Sequence, residues 1–170
     1  MTPLKYLSGY TPELQRQIRH MIELDSLRAF LLKKHPDLHE IRSDAALREY
    51  TIALKNRYMK KSPPISKVVY DHKIHVIHGA LGTHSYVSRN QGGKLKSKNE
   101  IRIATVFKNV PESLLKMIVV HELAHLKERE HNKAFYQLCE HMLPDYHQLE
   151  LEMRMYLMQR ELDQQKTAAE

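Results

Sequence analysis

The sequence predicts an α+β fold: N-terminal helices, a small and mostly antiparallel β-sheet, and further helices toward the C-terminus. Apolar residues recur at helical spacing before residue 64, β-branched runs with period-two alternation occupy 65–105, and helical spacing returns from residue 111. The patterns change at prolines, which stand at Pro36, Pro63, Pro64 and Pro111. At 170 residues the chain is long enough to bury a core and suits one compact unit.

Residues 1–64 are interpreted as an N-terminal helical layer of that unit. Thr11-Pro12-Glu13 combines a capping hydroxyl, a proline at the first helical position and an acid in the first turn. A helix is therefore expected to begin there and to run to Pro36. Ser43-Asp44 opens a second helix, which Pro63-Pro64 ends.

The sheet is expected to follow this layer. The predicted strands are residues 65–70, 74–77, 83–87 and 100–105. The first two run into and out of Asp71-His72-Lys73, which indicates a hairpin. Residues 89–99 hold Gly92-Gly93 and several lysines, so they are expected to form a flexible, positively charged loop.

The composition of the chain bears on its expected cellular location. No run approaches the ~18 apolar residues that a membrane span needs, so no membrane partner is expected. The N-terminus lacks the basic-then-apolar pattern of a signal peptide. Cys139 is the only cysteine, which excludes a disulfide framework and a thiolate metal cage, and we interpret it as a small buried apolar group. A reducing, cytoplasmic location is predicted.

The net charge of +7 is unevenly distributed. Residues 67–110 hold eight Lys or Arg against only Asp71 and Glu100, whereas residues 111–170 lean acidic. This basic segment indicates an anionic partner, such as nucleic acid or a phosphate-bearing substrate. The alternative interpretation is a solvated surface that keeps the protein soluble.

The pentapeptide His121-Glu122-Leu123-Ala124-His125 has the H-E-x-x-H pattern inside an apolar helical run. Histidines at positions i and i+4 lie on one helical face, so their rings can converge on one cation. The glutamate would lie beside that cation, where its carboxylate can take a proton from an attacking water.

The helix that carries this motif is expected to start at Pro111-Glu112 and to run to about Lys127. Its stripe of side chains at i, i+3, i+4 and i+7 consists of Ile118, His121, Glu122 and His125. In a purely structural helix this stripe would be apolar, because each buried, unpaired polar group costs roughly 1–3 kcal/mol. A bound metal ion removes that cost, so the stripe predicts a metal site.

Hydrolytic zinc sites usually have three protein ligands and an open fourth position. His131 is the expected third ligand. In an unbroken helix its offset from His125 is a rotation of ~600°, which points it away from the motif face. The helix therefore has to end between the two residues, and Asn132 can cap the next one. The alternative ligands on later segments are Glu140, His141, His147 and Glu150.

The stretch from His121 to Phe135 resembles the YgjP-like metallopeptidases, which are related to the SprT and WLM families. These families share H-E-x-x-H, a further histidine downstream, a small polar residue and an aromatic. The resemblance covers about residues 65–148. It extends to Gly82-Thr83-His84-Ser85, Ile101-Arg102-Ile103-Ala104, Pro111 and Leu143-Pro144-Asp145-Tyr146. His84 departs from the pattern, because a cysteine is common there.

The resemblance implies a minimal zincin-like core over 65–148, one zinc ion held by His121, His125 and His131, and Glu122 as the general base. It implies nothing about the N-terminal helices or about residues 149–170. The helical spacing of 149–170 predicts a tail that packs back on the domain or on a partner helix.

The expected chemistry is zinc-dependent hydrolysis of a peptide bond in a peptide or protein substrate. The first alternative is hydrolysis of a phosphoester or nucleotide phosphoanhydride, with Lys94, Lys96 and Lys98 holding the anion. The second is a non-catalytic zinc or nucleic-acid-binding module, which would have no need of a glutamate at position 122. The candidates for stabilising the transition state are His84, Tyr136, Tyr146 and His147.

Overall fold

The computed structural model describes residues 2–74, 86–91 and 94–170, and within them it confirms the α+β class. The helices are α1 (Pro12–Glu23), α2 (Leu27–Lys34), α3 (Asp44–Tyr58), α4 (Glu112–Ala124), α5 (Lys133–Met142) and α6 (Tyr146–Ala169). The strands are β1 (Ile65–Asp71), β2 (Tyr86–Gln91) and β3 (Lys94–Ala104). Short 3₁₀ helices cover Thr2–Leu7 and Thr105–Asn109.

The sheet is mixed, not mostly antiparallel. Its order is β1-β3-β2, with β3 parallel to β1 and antiparallel to β2. The hairpin expected around Asp71-His72-Lys73 is not found in the described residues, because β1 pairs with β3 and Ile74 belongs to no strand. Residues 75–77 of that hairpin, and 83–85 of the next expected strand, lie outside the described residues. Period-two alternation identifies a strand but not the direction of its partner.

The prediction of a loop over residues 89–99 was wrong. Most of this stretch belongs to β2 and β3, which pair through Arg89 with Lys98 and through Gln91 with Lys94. In the sequence, lysines alternate with other residues from Lys94 to Lys98, a pattern that is as compatible with a strand as with a loop. The Gly-Gly dipeptide between the strands is a common hairpin-turn sequence.

The N-terminal layer is helical as predicted, but its first helix is interrupted. Thr11 caps α1 through its hydroxyl, which accepts a hydrogen bond from the Leu14 amide at 3.3 Å. The helix ends at Glu23 and α2 begins at Leu27, with Asp25 between them at a φ of 54°. Aspartate tolerates this left-handed conformation better than most residues, so the chain can break without a glycine. The second predicted helix is confirmed as α3, which Ser43 caps.

Helix α4 lies in the middle of the hydrophobic core that the described residues form. From Leu114 to Ala124 every residue but Lys116 is buried, and α3, α5, α6 and β3 pack around the helix. Helix α6 also contacts α2 and the N-terminal 3₁₀ helix, so residues 149–163 pack on the rest of the chain, whereas residues 164–170 are exposed. The boundaries predicted at 64 and 148 stay predictions. No helix in the described ranges combines the length and apolar composition of a bilayer span.

A buried carboxylate joins the helices on one side of α4. Glu152 of α6 is 1% exposed and accepts hydrogen bonds from Lys34 Nζ and His35 Nε2, both at 2.6 Å. The Nδ1 atom of His35 lies 2.9 Å from the hydroxyl of Ser113 in the first turn of α4. These hydrogen bonds outweigh the desolvation of the carboxyl group and lower the pKa of Glu152. The cluster fixes the start of α4 relative to α2 and α6.

Candidate metal centre

The two motif histidines lie at the C-terminal end of α4. His121 is in its last turn, and His125 is the residue that caps it. The Nδ1 atom of His125 donates a hydrogen bond to the backbone carbonyl of Glu128 at 2.9 Å. The Leu126 amide donates to the Leu123 carbonyl at 3.0 Å, which tightens the last turn. The helix thus ends three residues before the predicted Lys127, and the break that the third ligand requires is confirmed.

A second helix begins directly after the third histidine. Asn132 caps α5 as predicted, because its side-chain oxygen accepts a hydrogen bond from the Phe135 amide at 2.9 Å. The break between the helices contains no glycine. It brings His131 back toward the face of α4 that carries His121 and His125.

The three histidines converge through their Nε2 atoms. The Nε2 atom of His125 lies 3.2 Å from that of His121 and 3.0 Å from that of His131. The ligand atoms of the three side chains all lie within 4.8 Å of one another. For comparison, two nitrogen ligands of a tetrahedral zinc ion are ~3.3 Å apart when each Zn–N distance is ~2.0–2.1 Å. His121 and His125 are 2% and 4% exposed, whereas His131 is exposed, so one side of the cluster can meet solvent.

The hydrogen bonds of the ring nitrogens favour a cation at this point. A carbonyl oxygen only accepts, so Nδ1 of His125 must carry the proton and Nε2 of the neutral ring has a lone pair. That lone pair faces two other imidazole nitrogens. On the far side of His121, Nδ1 lies 2.7 Å from the hydroxyl of Tyr146. Metal-binding histidines almost always donate their second nitrogen to such a partner, which orients the ring. The donor set therefore fits a divalent metal ion.

Phe135 packs against all three histidine rings. Its ring centroid lies 5.0 Å from that of His121, 4.6 Å from that of His125 and 4.9 Å from that of His131. The side chain is fully buried. Phe135, the aromatic residue that follows His131 in the sequence, thus provides an apolar surface against which the three imidazoles pack. This packing limits the number of orientations the three rings can adopt.

Glu122 is fully buried on α4 beside His121. Its position in the motif is compatible with the predicted general base, and that role stays a prediction. Cys139 is fully buried, which confirms that it packs as an apolar group. Burial raises the pKa of its thiol to about 12, with further contributions from nearby carboxylates, so it is not a thiolate at neutral pH.

The alternative ligands do not join the cluster. Within the described parts of the chain, only His121, His125 and His131 gather as a potential metal-binding group of three. His147 pairs with Glu140 on the surface at 3.0 Å, and the ring of His141 packs edge-on against that of Tyr58. Glu150 forms an ion pair with Arg154 at 3.5 Å. His84 lies outside the described residues.

Tyr146 has a different place from the one expected of a transition-state stabiliser. Its hydroxyl meets His121 on the nitrogen opposite to the cluster and is fully buried. Burial, together with the carboxylate of Glu150, raises the pKa of Tyr146 well above its ordinary value, so the phenol stays protonated. Sequence reasoning named this residue but could not assign its partner, because the contact joins α4 to α6 across 25 positions.

Comparison with known proteins identifies the family to which the chain belongs. The family model described as "YgjP-like, metallopeptidase domain" matches residues 86–156, which include the three histidines. The chain is 57% identical over 166 residues to the UTP pyrophosphatase of Escherichia coli (strain K12), and the match covers 98% of this chain and 99% of that protein. The chain belongs to the YgjP-like family, as the sequence resemblance indicated. It is therefore a hydrolase by class, with a site that can hold a metal ion. No solved structure matches it significantly.

Replacing His131 with alanine is expected to remove the metal. Two remaining imidazoles would hold a divalent ion far more weakly than three. Metal content after dialysis, measured by inductively coupled plasma mass spectrometry, should fall from about one ion per chain to well below it. His141→Ala is the matched control and should retain the ion. Full metal content in His131→Ala would contradict the assignment and favour Glu150 or His147 as the third ligand.

Replacing Tyr146 with phenylalanine is expected to weaken metal binding without unfolding the protein. The change removes only the hydroxyl that accepts from Nδ1 of His121, and the loss of such a partner typically costs about 10–100-fold in metal affinity. Competition with a chromophoric chelator measures the dissociation constant. Tyr156→Phe, which removes a hydroxyl elsewhere on α6, is the control and should match the wild type. Equal affinity in Tyr146→Phe would show that the contact has no part in orienting the ligand.

Proposed function

We propose that this protein is a metal-dependent nucleoside triphosphate pyrophosphatase. It hydrolyses the anhydride between the α and β phosphates of UTP or a similar nucleotide and releases pyrophosphate. The observation that supports this most is the 57% identity, over nearly the whole of both chains, to a protein named UTP pyrophosphatase. Nucleotide phosphoanhydride hydrolysis was the first alternative from the sequence, and this relative favours it over peptide cleavage.

The metal we propose is one zinc ion on His121, His125 and His131. Three imidazoles are a donor set that suits zinc, whereas magnesium and calcium prefer oxygen ligands. When bound, such an ion supplies positive charge to phosphate oxygens and makes a water more acidic. Three protein ligands leave a fourth position for substrate or water, on the side where His131 is exposed.

Glu122 is the proposed general base. Its carboxylate takes a proton from the attacking water as the water oxygen forms a bond to the α-phosphorus. The bond from the α-phosphorus to the bridging oxygen breaks, and the electron pair leaves with pyrophosphate. The products are a nucleoside monophosphate and pyrophosphate, so one water is consumed for each bond broken. His121 and His125 keep their rings oriented through the hydroxyl of Tyr146 and the carbonyl of Glu128.

A triphosphate substrate would also account for the uneven positive charge of the chain. The segment 67–110, with its excess of lysine and arginine, is then the proposed region of contact with the anionic substrate, and strands β2 and β3 contain five of its basic residues: Arg89, Lys94, Lys96, Lys98 and Arg102. Nucleic acid as a partner of the same segment, and a cytoplasmic location, stay predictions.

Peptide cleavage is the second candidate, and the description of the matching family model favours it. The same ligands and base can direct a water to a peptide carbonyl. A peptide could pair through its main chain with an edge of the small sheet. A non-catalytic zinc module is the third candidate and predicts metal binding without turnover of any substrate.

The test is turnover by the metal-loaded wild type and by Glu122→Gln. The wild type should convert UTP to UMP and pyrophosphate and should leave unstructured protein substrates intact. The variant should keep its metal while kcat falls by about 10²–10⁴-fold, because the amide cannot accept the proton. Glu130→Gln, an exposed carboxylate nearby, is the control and should keep full activity.

Ion-exchange chromatography of the nucleotides, a pyrophosphate assay and a fluorescent casein assay separate the three candidates. Release of casein peptides without UTP hydrolysis would establish the peptidase instead. Full activity in a properly metallated Glu122→Gln would contradict the role of the glutamate. Metal binding without any turnover would support the non-catalytic module.

A further inference from the structure

A cleft of about 520 Å³ opens beside the metal centre. It is formed by the segment that precedes α1, by α5 and by α6, which contribute Tyr10, Tyr136, His147, Glu150 and Arg154. Its volume lies in the range that small-molecule sites usually have. Its lining combines two aromatic rings with a partly buried ion pair, and none of these groups belongs to the catalytic residues proposed above.

Tyr136 connects the cleft to the metal centre. Its ring lies 6.4 Å from that of His131 and 5.1 Å from that of His147, which lines the cleft. One aromatic side chain therefore separates the two sites. A ligand that fills the cleft therefore lies one aromatic ring away from His131.

The polar groups of the cleft are held in fixed positions. The Nη1 atom of Arg154 donates to the carbonyl of Tyr6 at 2.9 Å, and Nη2 donates to Glu150 at 3.5 Å. The two side chains are 12% and 15% exposed, so the pair is largely withdrawn from water. The Nε atom of Arg154 is buried and has no hydrogen-bond partner among the described residues.

One of the two aromatic rings, that of Tyr10, packs against the same arginine. The guanidinium of Arg154 lies 5.7 Å from the ring centre of Tyr10, which keeps Tyr10 against the cleft. Tyr10 and Tyr136 are both half-buried, so part of each ring can be covered by a ligand. Flat π faces beside a carboxylate and a guanidinium are the groups that bind a nucleobase by stacking and by its polar edge.

We propose that this cleft binds the nucleobase of the substrate, with Tyr10 and Tyr136 contacting its faces and the Glu150–Arg154 pair contacting its edge. The ligand class is a pyrimidine nucleotide with an imide edge, as in uracil. That edge has one N–H donor between two carbonyl acceptors, which match the carboxylate and the guanidinium respectively. The inference rests on the proposed function, because it identifies the part of the triphosphate substrate that lies away from the metal.

Isothermal titration of the metal-loaded protein with UMP and with ribose 5-phosphate tests the cleft. The two ligands share the sugar and phosphate, so their difference reports the base alone. The wild type is expected to bind UMP about ten-fold or more tightly than ribose 5-phosphate, as base–aromatic stacking provides. Tyr10→Leu should lose this preference. Tyr156→Leu, which removes an aromatic from α6 outside the cleft, should keep it.

Gly9→Leu is a second variant that does not remove any contact. A Cβ atom at Gly9 meets nothing within 4 Å, so a side chain can begin there without a clash, and Gly9 is one of the residues that line the cleft. The variant should lose the preference for UMP while its melting temperature stays near that of the wild type. Photocrosslinking of the wild type with 5-iodo-UMP provides a measurement without any substitution. The labelled peptides should contain Tyr10 or Tyr136.

Equal affinity of the wild type for the two ligands would overturn the proposal. A preference for UMP that is retained in folded Tyr10→Leu and folded Gly9→Leu would overturn it as well. Crosslinked label found only in peptides without Tyr10 or Tyr136 would have the same consequence. UTP hydrolysis by the wild type is measured in parallel. Hydrolysis without a UMP preference overturns the cleft assignment and leaves the proposed function standing. A UMP preference without hydrolysis supports the cleft and overturns the proposed function.

Discussion

The metal centre depends on where α4 ends. Had the helix continued, His131 would lie ~600° around the axis from His125 and could not reach the other two rings. The hydrogen bond from His125 to the Glu128 carbonyl closes the turn that stops the helix. The same bond fixes the orientation and the protonated nitrogen of the His125 ring. One contact therefore both ends the helix and prepares a ligand.

The rest of the fold holds this turn in place. Helix α4 is buried on nearly all sides, so its C-terminal end has little freedom to move. Helix α5 contributes Phe135 beneath the three imidazoles, and α6 contributes the hydroxyl that meets His121. The long C-terminal helix is consequently part of the site, and not a tail added to it. Its next two turns carry Glu150 and Arg154, which form the proposed base cleft.

Local features of this molecule could be predicted from the sequence, whereas tertiary partners could not. The caps at Thr11, Ser43 and Asn132, and the break before His131, follow from side chains within a few residues. The parallel pairing of β1 with β3 depends on strands far apart in the chain, and period-two alternation carries no information on direction. Tyr146 was only one of four candidates for stabilising the transition state, and its contact with His121 could not be predicted because the two residues lie on different helices. Asp25 broke the first helix without the glycine or proline that usually marks such a break.

X-ray absorption spectroscopy at the zinc edge tests the central claim most directly, because it counts the ligands of the bound ion in solution. The ion should be coordinated by three imidazole nitrogens at ~2.0–2.1 Å, identified by multiple scattering from their rings, and by one light ligand at the open position. Only two imidazoles, with a carboxylate completing the protein ligands, would contradict it. That result would remove His131 from the centre and with it the reason for the break after α4.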